Sequence, residues 1–177
     1  MNVRTERNLA GYDMPPIPWE PVRETLATDI TQAPGTGGPN RHTSWLTTIN
    51  PNGTPHVTPV GFIQIDGVRY FNSGPATRKS RNIAANPRCV VSVAVEPFDL
   101  VIEGSAERVT DADELSAVAD TFNRQGWPAK VDDDALTAEY SAPSAGPPPW
   151  HVYRVNADTV YAFGTAEPGG ATKFELG

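Results

Sequence analysis

From Ser44 onward apolar and polar positions exchange with a period near two, the signature of half-buried strands, and they do so through most of the remaining chain. The segments SWLTTI (44–49) and TPHVTPVGFIQI (54–65) predict two strands of a hairpin around the turn NPNG, where Asn and Gly supply the positive φ a tight turn needs. A second turn at Asp66-Gly67 leads into VRYFN (68–72), a third strand. Trp45, Leu46 and Ile49 do not alternate cleanly, which is the pattern of a barrel wall covered on both faces. Residues 74–87, GPATRKSRNIAANP, predict a short helix closed by Asn86-Pro87, because the proline ring cannot continue one. RCVVSVAV (88–95) and DLVIEGSAERVT (99–110) predict two further strands with EPFD between them.

The period then lengthens. Thr110 with Asp113 three residues on approximates a capping box, and Leu115, Val118, Ala119 and Phe122 share one face of the predicted helix, which should pack on the barrel. GWP (126–128) ends it, VDDDALTAEY (131–140) reads as a short acidic helix or a loop, and the proline-rich SAPSAGPPPW (141–150) reads as extended backbone. WHVYRVN and DTVYAFGT predict a closing hairpin, and ATKFEL (171–176) a last short strand.

Residues 1–43 look like an arm ahead of a barrel domain at 44–177. The arm has a polar start, the run MPPIPWEP and a short helix from Pro21 with Val22, Leu26 and Ile30 along one stripe, then the loop QAPGTGGPN. That loop follows no strand and lacks the Gly-Lys of a phosphate loop. The arm should cover one end of the core. Together with 141–150 it is expected to limit access to a groove rather than to build the core, since proline makes both stiff. With 18 prolines and 15 glycines the whole reads as a mainly β (α+β) protein: six or so antiparallel strands in a closed or nearly closed barrel, with short flanking helices.

Charge narrows the partners. A net charge of −7 argues against a general nucleic-acid surface, which needs many clustered cations. No run approaches the ~18 apolar residues that cross a bilayer, and the first residues have no apolar core, so a cytoplasmic protein without membrane contact is expected. The single Cys89 lies in an apolar strand and reads as a buried, inert thiol.

Against this acidic background, Arg78, Lys79, Arg81 and Arg88 bring four of the 14 cations into eleven residues, where even scattering would place about one. Two readings follow: an anion site at the start of a helix, with free N–H groups and the hydroxyls of Thr77 or Ser80, or a solvated helix face. Arg69 lies outside the cluster and serves as a control position. His42, His56 and His151 are far apart, no Cys or His falls at ligand spacing, there is no GxSxG elbow, and the acids at 132–134 read as a solvating patch. No catalytic side chain and no metal ligand is therefore assigned. A chain without its own acid, base or nucleophile set draws its chemistry from a cofactor.

In order, TPHVTPVGF, DGVRYFNS, TRKSRNIAANPRCVVSV and LVIEGSAERV resemble the strand, strand, helix and strand motifs of the pyridoxamine-phosphate-oxidase-like, FMN-binding split β-barrel superfamily, most closely its actinobacterial flavin/deazaflavin oxidoreductases. The likeness covers residues 44–110, and EPGGATKFEL resembles that branch's C-terminal strand. It implies a homodimer with two cofactors in grooves between subunits. It also implies that the helix around Thr77, Lys79, Ser80, Arg81 and Asn82 holds a phosphate while the strand Val57, Thr58, Pro59, Val60 runs beside the ring system. Pro59 has no N–H for a ladder, which suits backbone facing a ligand as well as an ordinary edge strand. The cofactor implied is FMN or the deazaflavin coenzyme F420. The activity implied is an oxidoreductase moving a hydride to or from a small unsaturated or aromatic substrate, walled by Trp45, Trp127, Trp150 or Tyr153. A non-catalytic flavin carrier, or an unrelated barrel binding a phosphorylated metabolite, are the alternatives. The arginines with which true pyridoxamine-phosphate oxidases grip the vitamin are not recognisable, which disfavours vitamin B6 synthesis.

Overall fold

The computed structural model describes residues 1–28, 43–142, 145–167 and 169–177. The loop QAPGTGGPN, Ile30 and His42 lie outside the described residues.

Nine strands join in one sheet in which every pair is antiparallel. In chain order they are β1 (Val3–Asn8), β2 (Ser44–Ile49), β3 (Pro55–Val60), β4 (Ile63–Ile65), β5 (Val68–Ser73), β6 (Arg88–Val95), β7 (Phe98–Val109), β10 (His151–Gly164) and β11 (Ala171–Leu176). The path β1-β11-β10-β7-β6-β2-β3 carries a branch, β5 with β4, on the first part of β10. A separate hairpin, β8 (Lys130–Asp132) with β9 (Ala135–Thr137), occupies the stretch read as an acidic helix or loop. Asp133, with φ of 54°, makes its turn. The periodicity of VDDDALT was too short to separate strand from helix, and Asp tolerates the left-handed conformation that closes the hairpin.

The predicted closing hairpin is instead one continuous strand. β10 pairs with β7 along its whole length, from Val152 opposite Val109 to Gly164 opposite Phe98, with a register shift between Ala157 and Thr159. The side-chain parity changes there: Tyr153 and Val155 face the main core before the bulge, Val160 and Ala162 after it. An extra residue in a strand flips the alternation, and read as sequence that flip looks like a turn. The bulge brings backbone close to backbone. A Cβ on Gly104 of β7 would lie 2.0 Å from the carbonyl oxygen of Asn156, so only glycine fits opposite. Asp158, at the bulge, is bridged by Arg88 from β6.

Three helices pack on this frame. α1 (Trp19–Leu26) starts two residues before the predicted Pro21 and buries Val22 and Leu26 completely. With Ile17 these residues belong to the main core beside Leu46, Phe71, Val91, Leu100 and Phe174, and β1 adds an edge strand to β11. Residues 1–28 thus build core as well as cover it. α3 (Ala112–Arg124) has Asp111 rather than Thr110 as its cap, accepting from the Glu114 N–H at 2.9 Å. As expected, Leu115, Val118, Ala119 and Phe122 are buried, here in a second cluster with Ile63, Leu136 and Val152. Glu114 locks α3 to the sheet by accepting from the Tyr70 hydroxyl at 2.9 Å and from Arg154 at 3.1 Å. No helix among the described residues is long and apolar enough to cross a membrane.

Gly104→Ala is expected to cost about 3 kcal/mol, because neither backbone at the bulge can yield locally. A thermal melt should show Tm lowered by roughly 6–12 °C; an unchanged Tm would mean that β7 and β10 separate easily at this point.

Candidate functional site

The basic cluster forms α2 (Arg78–Ala85), which follows β5 after the connection Gly74–Thr77. Thr77 caps it, its hydroxyl accepting from the Ser80 N–H at 3.3 Å. The same hydroxyl meets Ser73 at 2.8 Å and donates to Ser80 Oγ at 3.0 Å, and Ser80 shares a cavity wall with Tyr153 of β10. Three hydroxyls, of Ser73, Thr77 and Ser80, thus tie the helix start to β5. The N–H groups of Arg78 and Lys79, in the first turn, have no carbonyl of their own helix to bond.

Asn82 fixes the other flank. Its side-chain amide, in a residue only 2% exposed, donates to Thr48 Oγ1 at 3.0 Å and Asn50 Oδ1 at 3.2 Å, anchoring α2 to β2. Lys79, three residues earlier, lies on this same side of the helix. Its ammonium is half-buried, burial alone holds its pKa below the usual lysine value, and among the described residues no carboxylate pairs with it. Such a charge fits an anion. Ser80 and Arg81 face the opposite way, into a cavity of about 310 Å³ against β7 and β10, where Arg108, His151 and Tyr153 also line the wall. Arg81 is exposed and donates to the Ala76 carbonyl at 2.6 Å. Arg88 is spent on Asp158.

The strand proposed to run beside a ring system is β3, an edge strand whose only strand neighbour among the described residues is β2. Val57 is 52% exposed, Pro59 is exposed opposite Trp45, and Val60 is buried. Thr58 faces inward opposite Leu46, and its Oγ1 is buried without a hydrogen-bond partner among the described residues. An orphaned hydroxyl on that strand and an unpaired lysine on the β2 side of α2 are the features a phosphate-bearing cofactor would satisfy.

The structure therefore divides the sequence-predicted set. Val57, Thr58, Pro59 and Val60 share β3, Lys79 and Asn82 sit on the β2 side of α2, and Ser80 and Arg81 sit on the β10 side. Of the four aromatics named as walls, Tyr153 lines the cavity and stacks on Phe71 at 5.1 Å, Trp45 is exposed on the outer sheet face, and Trp127 and Trp150 pack together at 5.6 Å near α3. Arg69 is 4% exposed and donates to the Leu26 carbonyl, so it is a core residue and not a neutral control. Sequence reasoning missed Arg108 and His151. They are distant in sequence from α2, and only the alternation of β7 and β10 marks them as sharing a face with Ala106 and Tyr153.

A barrel of antiparallel strands split by a shared long strand, with a basic helix packed on β2, defines a split β-barrel protein. Within that class the family model for pyridoxamine 5'-phosphate oxidase matches residues 38–164, well over half of the sequence, and the chain belongs to that family. Among solved structures, a pyridoxamine 5'-phosphate oxidase-related, FMN-binding protein from Nostoc punctiforme is similar at a TM-score of 0.59 and 16% identity, over 91% of this chain and 92% of that one. An F420 reductase is similar at 0.50 and 21%, over 77% and 94%. A heme-binding protein from Mycobacterium smegmatis is similar at 0.55 and 17%, over 84% and 56%. At such identities the likeness is one of fold. A search of curated proteins finds no match.

Removing the buried charge should separate binding from stability. For Lys79→Gln the melt of the ligand-free protein is expected at an equal or slightly higher Tm, since an uncompensated ammonium is lost. Asn82→Ala should lower stability by about 1–3 kcal/mol, because Thr48 loses its donor in a buried setting. A Lys79→Gln protein destabilised as much as Asn82→Ala would show that the lysine is structural.

Proposed function

We propose that this protein is an oxidoreductase that binds FMN or the deazaflavin coenzyme F420, in a groove bordered by β3 and the β2 side of α2. The observation that carries the reading is Lys79, a half-buried cation without a carboxylate among the described residues, beside a helix start with free N–H groups. Lys79 and Arg78 would hold the phosphate and Thr77 keeps that helix start in place. The Thr58 hydroxyl, buried and unpartnered, would take a polar atom of the bound group. The cofactor supplies hydride transfer to or from a small unsaturated or aromatic substrate; the protein supplies orientation and exclusion of water. Family membership and the FMN-binding and F420-reducing structural relatives support this reading.

The outer sheet face supports a homodimer. Trp45 (45% exposed), Val57 and Phe163 (38% exposed) rise from it. Half-buried Val90, Val101 and Tyr161 lie between them, in register across β2, β6, β7 and β10. Ser92, Glu103 and Asp99 stand among them on the same face; large apolar side chains exposed in such a mixed surface support an association site, and a two-fold axis would let the same patch cover itself. Because Val57 and Pro59 belong both to this face and to β3, a partner subunit would close the groove beside that strand. Residues 145–150 of the proline-rich stretch would form one of its approaches. Ala145 already lies so near Gly74 that a Cβ there would be 2.5 Å from the Ala145 carbonyl oxygen.

Titration of the full-length protein with FMN and with F420, read by quenching of tryptophan fluorescence, should show binding of one or both. Arg78→Ala/Lys79→Ala should weaken it about ten- to a hundredfold for each charge-assisted bond lost, while Arg7→Ala, on exposed β1, leaves it unchanged. Equal affinity in wild type and the double variant would end the phosphate assignment. Light scattering is expected to give a dimer that Trp45→Glu converts to monomer with weaker cofactor binding; a wild-type monomer at micromolar concentration would remove the shared groove.

A further inference from the structure

The cavity on the far side of α2 is not used by the cofactor reading. It lies between the helix and the paired strands β7 and β10, with a volume of about 310 Å³, room for roughly ten waters. Its floor is apolar: Ile83 and Ala106 are 5% and 2% exposed. Its polar groups come from three elements. Arg81 of α2 spends one donor on the Ala76 carbonyl and keeps the rest of its guanidinium. Arg108 of β7 is held at 2.7 Å by Asp134, from the turn of the β8–β9 hairpin. His151 and Tyr153 stand side by side on β10, ring centres 6.4 Å apart.

We propose that this cavity is a binding site for a small organic acid with an apolar or aromatic body. Arg81 and Arg108 bind its carboxylate, and Ile83, Ala106 and the Tyr153 ring enclose the rest. Charge selects the class. Two guanidiniums and one carboxylate leave the cavity a net +1, and burial together with the Arg108 charge holds the His151 imidazole below its ordinary pKa, so that it is neutral at pH 7. One positive charge balances a monocarboxylate. A phosphate dianion would need the second guanidinium freed from Asp134. Planar guanidiniums match a planar carboxylate through paired N–H donors, and the enclosed apolar floor adds affinity that an ion such as acetate cannot collect. Burial raises the pKa of the Tyr153 phenol, so it stays protonated. The site is independent of whether a flavin binds on the other side of α2, and its test needs none.

Calorimetric titration of the full-length protein with benzoate, acetate and inorganic phosphate tests it at pH 7. Benzoate is expected to bind at least about tenfold more tightly than acetate or phosphate. Arg81→Gln and Arg108→Gln should each weaken it about tenfold or more, with Arg7→Gln unchanged. Asp134→Asn works in the opposite direction: the cavity charge rises from +1 to +2, and benzoate should bind severalfold more tightly, a gain that a merely damaged fold would not produce. No benzoate binding at about 10 mM would overturn the proposal. So would affinity indifferent to all three substitutions, or a preference for phosphate over benzoate that the same arginine variants abolish.

Discussion

The long strand β10 is the constraint on which the rest depends. Its first residues pair with β5 on one edge and β7 on the other, and its last residues pair with β11 and again with β7. One strand can serve both neighbourhoods only if its inward residues are reset partway. The extra residue between Ala157 and Thr159 does that, sending Tyr153 and Val155, then Val160 and Ala162, into one core. The bulge needs Gly104 across from it, and Arg88 reaches over from β6 to its exposed Asp158. Before the bulge, Val152 points the other way, into the cluster under α3. The two cores thus share a strand, and a single local irregularity keeps both halves of that strand facing the main one.

Because that frame is rigid, α2 can act as a partition. Asn82 fastens one flank to Thr48 of β2 and to Asn50 in the turn after it; the hydroxyls of Ser73, Thr77 and Ser80 fasten the helix start to β5. The helix carries its cations on both sides of these anchors. Lys79 is left on the β2 side with its charge half-buried, and Arg81 on the β10 side beside Arg108. Eight residues thereby present two separate electropositive surfaces in a protein that is acidic as a whole. Desolvation discourages lysine from staying buried and charged without a partner, so its position is better explained by what it binds than by what it stabilises.

Much of the fold was legible in the sequence where local chemistry decides. The turns at 50–53 and 66–67 carry the Gly and Asp residues that positive φ demands, and Gly53, Asp66 and Gly67 adopt it. The apolar stripe Leu115, Val118, Ala119, Phe122 located α3 within a residue or two. What escaped is set by distant partners. Two strands were read where β10 is one, because a parity flip looks like a turn until Gly104 is seen opposite. The polar strand β1 exists only because β11 offers an edge at Val3–Asn8, and nothing in VRTERN alone calls for it. For the site, composition located the basic helix but not its two sides, which follow from the hydrogen bonds of Asn82 and Ser80. Arg108 and His151 could not be placed with Arg81 without the β7–β10 register.

The sheet branches, so among the described residues it has three borders, β3, β1 and the short β4, and the two longer ones carry one more consequence. β3 ends it on one side with Pro55 and Pro59, two of six positions that offer no N–H. β1 ends it on the other with Arg4, Glu6 and Arg7. Neither border can readily template a further strand: the first lacks donors and the second would bring charges against charges. Growth by edge addition, the route to fibres, is therefore disfavoured at both of these longer borders. The outer face with Trp45 and Val57 is the surface proposed to pair, and a face that meets its own copy would be used up in a single encounter. If the chain pairs through that face, the prolines of β3 would keep the assembly finite.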